Sequence, residues 1–151
     1  MNAVLAIERA SFGSGAYPES LFRLYAADRR SLFLIARFAQ AVVGYIIARS
    51  DRWGAEIISI AVHPSLRKRG IGHALLRAIV RHSLEGRALS IRLMVRADNT
   101  SAANFYRRSG FRCIGRVPDY YEDGATGIRM RLQLSRNATG GAGAARETIQ
   151  C

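Results

Sequence analysis

Ile57-Ile58-Ser59-Ile60-Ala61-Val62-His63-Pro64-Ser65-Leu66-Arg67-Lys68-Arg69-Gly70-Ile71-Gly72-His73-Ala74-Leu75-Leu76 organises the rest of the chain. A β-branched apolar run of strand length stops at Pro64, a short basic segment follows, and two glycines one residue apart open an amphipathic helix. Glycines there let the backbone approach a ligand closely, so the first unpaired N–H groups of the helix can point at phosphate oxygens. Arg67, Lys68 and Arg69 add charge of the right sign. The segment reads as an anion seat. It is not a P-loop, which needs four residues between its glycines and a Lys-Ser/Thr after the second. Nor is it a full dinucleotide fingerprint, because Leu75 stands where the third glycine belongs.

Working outward, residues 3–12 read as a helix broken by Gly13-Ser14-Gly15. Pro18 opens a second helix with Leu21, Phe22, Leu24 and Tyr25 on one face. Residues 31–37 and 42–49 form a hairpin around Phe38-Ala39-Gln40, and residues 55–62 make the next strand. The helix over residues 70–84 puts Ile71, Ala74, Leu75, Ala78 and Ile79 on its core side. Residues 89–95 alternate apolar and polar, as a strand with two unlike faces does. Asp98-Asn99-Thr100-Ser101 caps a helix that Gly110 stops. Strands over 111–117 and 128–134 flank a polar loop, residues 118–125, that carries tyrosines. The expected class is α/β (α+β), one domain over residues 1–134, followed by a disordered tail over 135–151 with too little apolar content to fold.

The 151 residues are 49% hydrophobic, enough for one packed core, and carry a formal net charge of +12. No apolar run is long enough to cross a membrane, and the first residues lack the basic start and apolar region of a secretory signal. Cys113 and Cys151 read neither as a disulfide framework nor as a CxxC site, which points to a reducing cytoplasm. His63, His73 and His82 have no companion cysteines, so no metal site is expected. The basic residues, all arginine but Lys68, are scattered rather than packed in one block. That favours codon bias and an anionic cofactor over a surface for nucleic acid, ribosome or acidic peptides.

Arg67-x-x-Gly70-x-Gly72 resembles the pyrophosphate-holding turn of the GNAT acetyltransferases. Leu93-Met94-Val95-Arg96-Ala97-Asp98-Asn99 with Tyr106-Arg107-Arg108-Ser109-Gly110-Phe111 resembles the late strand–helix block of RimI-type N-terminal acetyltransferases, and Asp119-Tyr120-Tyr121-Glu122-Asp123-Gly124 resembles their Tyr-Tyr loop. The resemblance spans roughly residues 7–134. It implies a GNAT fold: a mixed, mostly antiparallel central sheet flanked by helices, with acetyl-CoA in the splay between two central strands. It also implies an acetyl-CoA-dependent acyltransferase. By the same resemblance, the backbone of Ile60, Ala61 and Val62 meets the pantetheine arm and the acetyl carbonyl, and an N–H near Val62 suits the oxyanion formed on amine attack. Lys68, Arg69, Gly70, Ile71, Gly72 and His73 cradle the pyrophosphate. Asn99 hydrogen-bonds the arm besides capping its helix. Tyr106, a phenol of reference pKa near ~10, protonates the departing thiolate. Tyr120 and Tyr121 wall the acceptor groove, unless they are plain loop aromatics.

Two departures stand out. Met94 occupies the position of the RimI-type general base, and a thioether takes no proton at neutral pH. Glu19, in a Tyr17-Pro18-Glu19-Ser20 segment like that of Ard1-type enzymes, is ranked slightly above Glu56 as its replacement, each acting through a water. The bland readings are a helix-start carboxylate for Glu19 and a surface strand residue for Glu56. The family's first strand also has too few residues before Ile7, so either the sheet lacks that edge or the start is internal. A peptide α-amine, pKa near ~8, is far more often neutral than a lysine near ~10.4. The expected acceptor is therefore a protein or peptide N-terminus, a ribosomal protein among them, with the enzyme a monomer or homodimer, no membrane and no need of nucleic acid. Small polyamines and aminoglycosides are disfavoured by repulsion from a +12 protein. A basic RNA- or ribosome-binding module and a coenzyme A-binding relic are the remaining alternatives.

Overall fold

The computed structural model describes residues 1–135, so the expected tail, Ser135 apart, lies outside the described residues. Cys151 lies there too, whereas Cys113 sits partly buried in a strand. Chain order runs α1 (Asn2–Phe12), α2 (Glu19–Ala27), β1 (Ser31–Phe38), β2 (Ala41–Asp51), β3 (Gly54–Val62), α3 (Ile71–Glu85), β4 (Ser90–Arg96), α4 (Thr100–Arg108), β5 (Arg112–Val117) and β6 (Gly127–Gln133), with short 3-10 turns at Gly13–Gly15 and Pro64–Leu66. No strand precedes α1 among the described residues.

The expected hairpin forms because Ala39 and Gln40 both take positive φ, the twist that matches two right-twisted strands. The six strands lie in the order β1-β2-β3-β4-β6-β5. Every pairing is antiparallel except β3 with β4, which is parallel. That parallel ladder is short: Ala55, Glu56 and Ile57 oppose Ile91, Arg92 and Leu93, and pairing ends there. Beyond Ile57 and Leu93 the two strands diverge, leaving a wedge in the middle of the sheet.

A second irregularity sits at the root of the wedge. Ile47 opposes Ser59 while Ala48 opposes Ile57, so Ile58 is an extra residue in β3. Such a bulge bends the strand and re-aims its side chains. Ala55 and Ile57 pack into a core with Leu75, Leu76 and Ile79 of α3 and Tyr106 of α4. After the bulge, Ala61 instead joins Val4, Leu5, Ile7, Phe22, Tyr45 and Ile47 under α1 and α2. The apolar stripe of α3 is rotated from the expected one: Leu75, Leu76, Ile79 and Ser83 are buried and Ala74 is exposed. Burying a leucine removes much more apolar surface from water than burying an alanine, so the larger residues take the sheet side.

Candidate active site

The N-terminus of α3 lies at the end of the connection that leaves the wedge. Gly70 is its N-cap at φ 81°, a left-handed conformation that costs a side-chain-bearing residue about 1–2 kcal/mol. No side chain caps this end, and the first intrahelical bond is donated by Ala74 N–H to the Gly70 carbonyl at 2.9 Å. The amides of Ile71, Gly72 and His73 thus remain as donors where the helix dipole favours an anion. Lys68, at φ 61°, and Arg69 are exposed, and neither has an ion-pair partner among the described residues. Arg67 behaves differently. Its Nε donates to the Val62 carbonyl at 3.1 Å and its Nη2 to Ser11 Oγ at 3.1 Å, so it ties the strand end to α1 rather than waiting for phosphate. The His73 ring turns to α4, 4.7 Å from the Phe105 ring and 3.4 Å from Ser109 Oγ. Its share in an anion cradle is its backbone.

The arm of an extended amide ligand suits the wedge itself. Ile60, Ala61 and Val62 lie on the part of β3 that has lost its β4 partner, so that edge is free to pair with something else. The Val62 carbonyl is already engaged by Arg67. Asn99 sits at the facing side, just past β4, and its Oδ1 accepts from Ala102 N–H at 3.0 Å. Capping is therefore its structural duty, and its side-chain amide donors are left over.

Tyr106 comes up from α4. Its ring is 7% exposed, held by Phe105 at 5.2 Å and Phe111 at 5.6 Å between centroids. Among the described residues Ser31 Oγ is the one enclosed side-chain polar atom without a partner. The Tyr106 hydroxyl makes no hydrogen bond to the protein either, so it opens onto accessible space. Burial, with a smaller push from nearby Tyr121, raises it far above the ordinary phenol value. It stays protonated, as a proton donor must.

Aromatic side chains continue from there. Tyr121 packs edge-on against Tyr120 at 5.0 Å and lies under the Arg96 guanidinium at 4.9 Å. Burial, then Tyr17 and Tyr120, push its hydroxyl up to about 12. Tyr17 is raised by burial first, and then by the fields of Tyr120, Glu8, Tyr25 and Glu56. Tyr106, Tyr121, Tyr120 and Tyr17 therefore form one neighbourhood, and Glu56 lies within its electrostatic reach. Met94 floors it: a Cβ on Gly127 would meet Met94 Sδ at 2.7 Å and Tyr120 Cγ at 3.0 Å, so only glycine lets the two pack over β6.

The two carboxylates proposed in place of a base at Met94 differ in setting. Glu19, in the first turn of α2, is held by Arg23 at 2.6 Å in an exposed i,i+4 ion pair. Glu56 is exposed on β3, opposite Arg49 and Arg92, with no hydrogen bond to either. Those arginines are bound to Asp28 and Asp51 instead. Of the two, Glu56 is the carboxylate free to hold a water near the tyrosines.

The sequence did not single out Glu8. Its side chain is 1% exposed, accepts Tyr17 N–H at 2.8 Å and takes a short hydrogen bond from the Tyr45 hydroxyl, which in turn is 2.8 Å from Ser59 Oγ. Burial raises its pKa, against the lowering effect of these two donors. The network fastens the segment before α2 to the β3 bulge, and so fixes Tyr17 beside Ile58 and Ser59. A carboxylate inside the apolar set Val4, Leu5, Ile7 was the available sequence signal.

Comparison with known proteins agrees with this geometry. The sequence profile of the Acetyltransferase (GNAT) family matches residues 1–111. An uncharacterized N-acetyltransferase of Methanocaldococcus jannaschii is 37% identical over 93% of this chain and 89% of that protein. The N-alpha-acetyltransferase RimI of Mycobacterium tuberculosis is 32% identical over 79% of this chain and 77% of its own length. Among solved structures, Ard1 from Thermoplasma volcanium superposes with a TM-score of 0.84 at 30% identity, covering 89% of this chain and 91% of that one. By its wedge-split sheet, its uncapped helix after the wedge and these matches, the chain belongs to the GNAT acetyltransferase family.

Proposed function

We propose that this protein transfers the acetyl group of acetyl-coenzyme A to the α-amine of a protein or peptide N-terminus. The observation that carries the reading is the meeting of three features around one wedge: free amides at the start of α3, an unpaired β3 edge, and the protonated Tyr106 hydroxyl. The donor's thioester supplies an activated acyl group. The amides of Ile71, Gly72 and His73, with Lys68 and Arg69, hold its diphosphate. The edge of β3 at Ile60, Ala61 and Val62 and the side-chain amide of Asn99 line up its arm. A β3 amide stabilises negative charge developing on the acyl oxygen. Tyr106 donates to the leaving sulfur, and Glu56 takes the amine's proton through a water.

The absence of a base at Met94 supports an acceptor that is often neutral already, which an α-amine near ~8 is and a lysine near ~10.4 is not. Tyr17, Tyr120 and Tyr121 form aromatic walls suited to an extended peptide backbone. No helix of the described residues is long and apolar enough to cross a membrane, and the proposed setting is the cytoplasm, where acceptor N-termini emerge. The test is release of free thiol from acetyl-coenzyme A with peptides bearing a free α-amine, with N-blocked lysine peptides and with spermine. The free α-amine peptides should turn over at least tenfold faster, given roughly two units of pKa between the amines. Equal or better rates with the blocked peptides or spermine would overturn the assignment.

A further inference from the structure

Arginines that look scattered along the chain are gathered by strand register. Arg92 on β4 lies directly opposite Arg131 on β6, and Arg131 lies directly opposite Arg112 on β5. One row nearer the wedge, Met94 opposes Arg129, which opposes Gly115. Leu93, Met130 and Cys113 pack on the core under α3 and α4, so the arginines point from the other face. Among the described residues no helix covers that face over β4, β6 and β5: the cluster beneath α1 and α2 holds no residue of these strands, and Arg112, Arg129 and Arg131 are exposed.

Like charges directly opposite one another on neighbouring strands destabilise a sheet. Among the described residues the repulsion is relieved only at Arg92, bound by Asp51 at 2.5 Å, while Glu56 stands beside Arg92 at the inner end of the row. Arg96, nearer the tyrosines, is neutralised by Asp98 and Asp123. Arg112, Arg129 and Arg131 are exposed and have no acidic partner among the described residues. A cross-strand cationic row that the fold does not compensate is a local conflict of the kind that marks a binding surface.

We infer that the uncovered face of β4, β6 and β5, through Arg129, Arg131 and Arg112, docks an acidic stretch of the acceptor polypeptide beyond its reacting amine. The inference rests on the acetyl-transfer reading for the position of that amine. Neighbouring strands are ~4.8 Å apart, and the Arg131 row lies two residues, about 7 Å, along β6 from the Met94 row. An extended chain advances ~3.3–3.6 Å per residue, so one leaving the groove past Met94 and Tyr120 reaches these guanidinium groups about three to six residues after its amine. Carboxylates at that spacing meet paired guanidinium forks, the geometry arginine recognises best.

The test uses two peptides with the same first three residues, one continuing with glutamates and the other with glutamines. The glutamate peptide should show kcat/KM about tenfold higher, carried by KM, the order expected of three exposed ion pairs acting together. The advantage should shrink with added salt. It should vanish in the triple variant Arg112→Gln/Arg129→Gln/Arg131→Gln, which keeps wild-type activity on the glutamine peptide and melts at a higher temperature once the cross-strand repulsion is gone. Equal kcat/KM for both peptides on the wild type, or an advantage that survives in the triple variant, overturns the inference and leaves acetyl transfer standing. If neither peptide releases thiol, it is the acetyl-transfer reading that fails, and fluorescence anisotropy of the labelled glutamate peptide decides the docking claim by its dependence on the same arginines. Tighter, arginine-dependent binding of a single-stranded RNA oligonucleotide would reassign the face to nucleic acid.

Discussion

Tyr106→Phe removes one oxygen from the site and little else. The ring stays between Phe105 and Phe111, and the lost hydroxyl has no hydrogen-bond partner among the described residues. Folding stability should therefore change by no more than about 0.5 kcal/mol. The catalytic cost follows from the raised pKa of this phenol. Complete transfer of its proton to a thiolate of reference pKa near ~8.5 is uphill, so in the proposed reaction its main act would be a charge-assisted hydrogen bond to the departing sulfur. Such a bond is worth about 1.5–3 kcal/mol, or roughly 10- to 150-fold in rate. We expect a loss of about 100-fold in the single-turnover rate of thiol release, near the low end of the 10²–10⁴ range for general acids. Because burial keeps the hydroxyl protonated, the wild-type rate should show no fall below about pH 10 attributable to Tyr106. A variant within threefold of wild type, with an unchanged melting temperature, would refute the proton-donor role.

Asn99→Ala should cost about 1 kcal/mol of stability through loss of the Ala102 cap, and should also raise the KM for acetyl-coenzyme A; a change in melting temperature alone would leave the residue a cap only. Glu56→Gln should lower kcat at neutral pH by tenfold or more, whereas Glu19→Gln, which breaks only an exposed ion pair, should stay within about twofold. Glu8 is pushed above its reference value of 4.5 by burial, so the unfolded chain gives up this proton first. Its contribution to stability is thus greatest below about pH 4.5 and declines as pH rises through the folded-state value, then levels off. Thermal melts of Glu8→Gln should lack that part of the pH slope, and an unchanged slope would remove Glu8 as its source.

Much of the fold was readable because its signals are local. The break at Pro64, the glycines at 70 and 72, the alternation through β4 and the Asn99 cap each declare themselves within a few residues. What depended on distant partners was not readable. The Ile58 bulge exists only relative to Ile47 and Ala48 of β2, yet it decides which core Ser59 and Ala61 join. The Glu8–Tyr45–Ser59 network joins residues 37 and 14 positions apart, and the arginine row forms only when β6 is laid between β4 and β5. The same limit explains the ranking of the two carboxylates. Motif likeness put Glu19 ahead of Glu56, but Arg23 one turn away occupies Glu19, a pairing that the i,i+4 spacing already announced. Arg67, counted with the anion seat, is spent on the Val62 carbonyl because the 3-10 turn folds it back along the strand.

Acetyl transfer as proposed needs the amides opening α3, with Lys68 and Arg69, to grip the diphosphate of coenzyme A. Isothermal titration calorimetry with coenzyme A and with pantetheine, which lacks the phosphates, measures it directly. Coenzyme A should bind saturably and one to one, at least tenfold tighter than pantetheine, and its binding should weaken with added salt. Equal affinities for the two ligands, or no heat with coenzyme A, would contradict it.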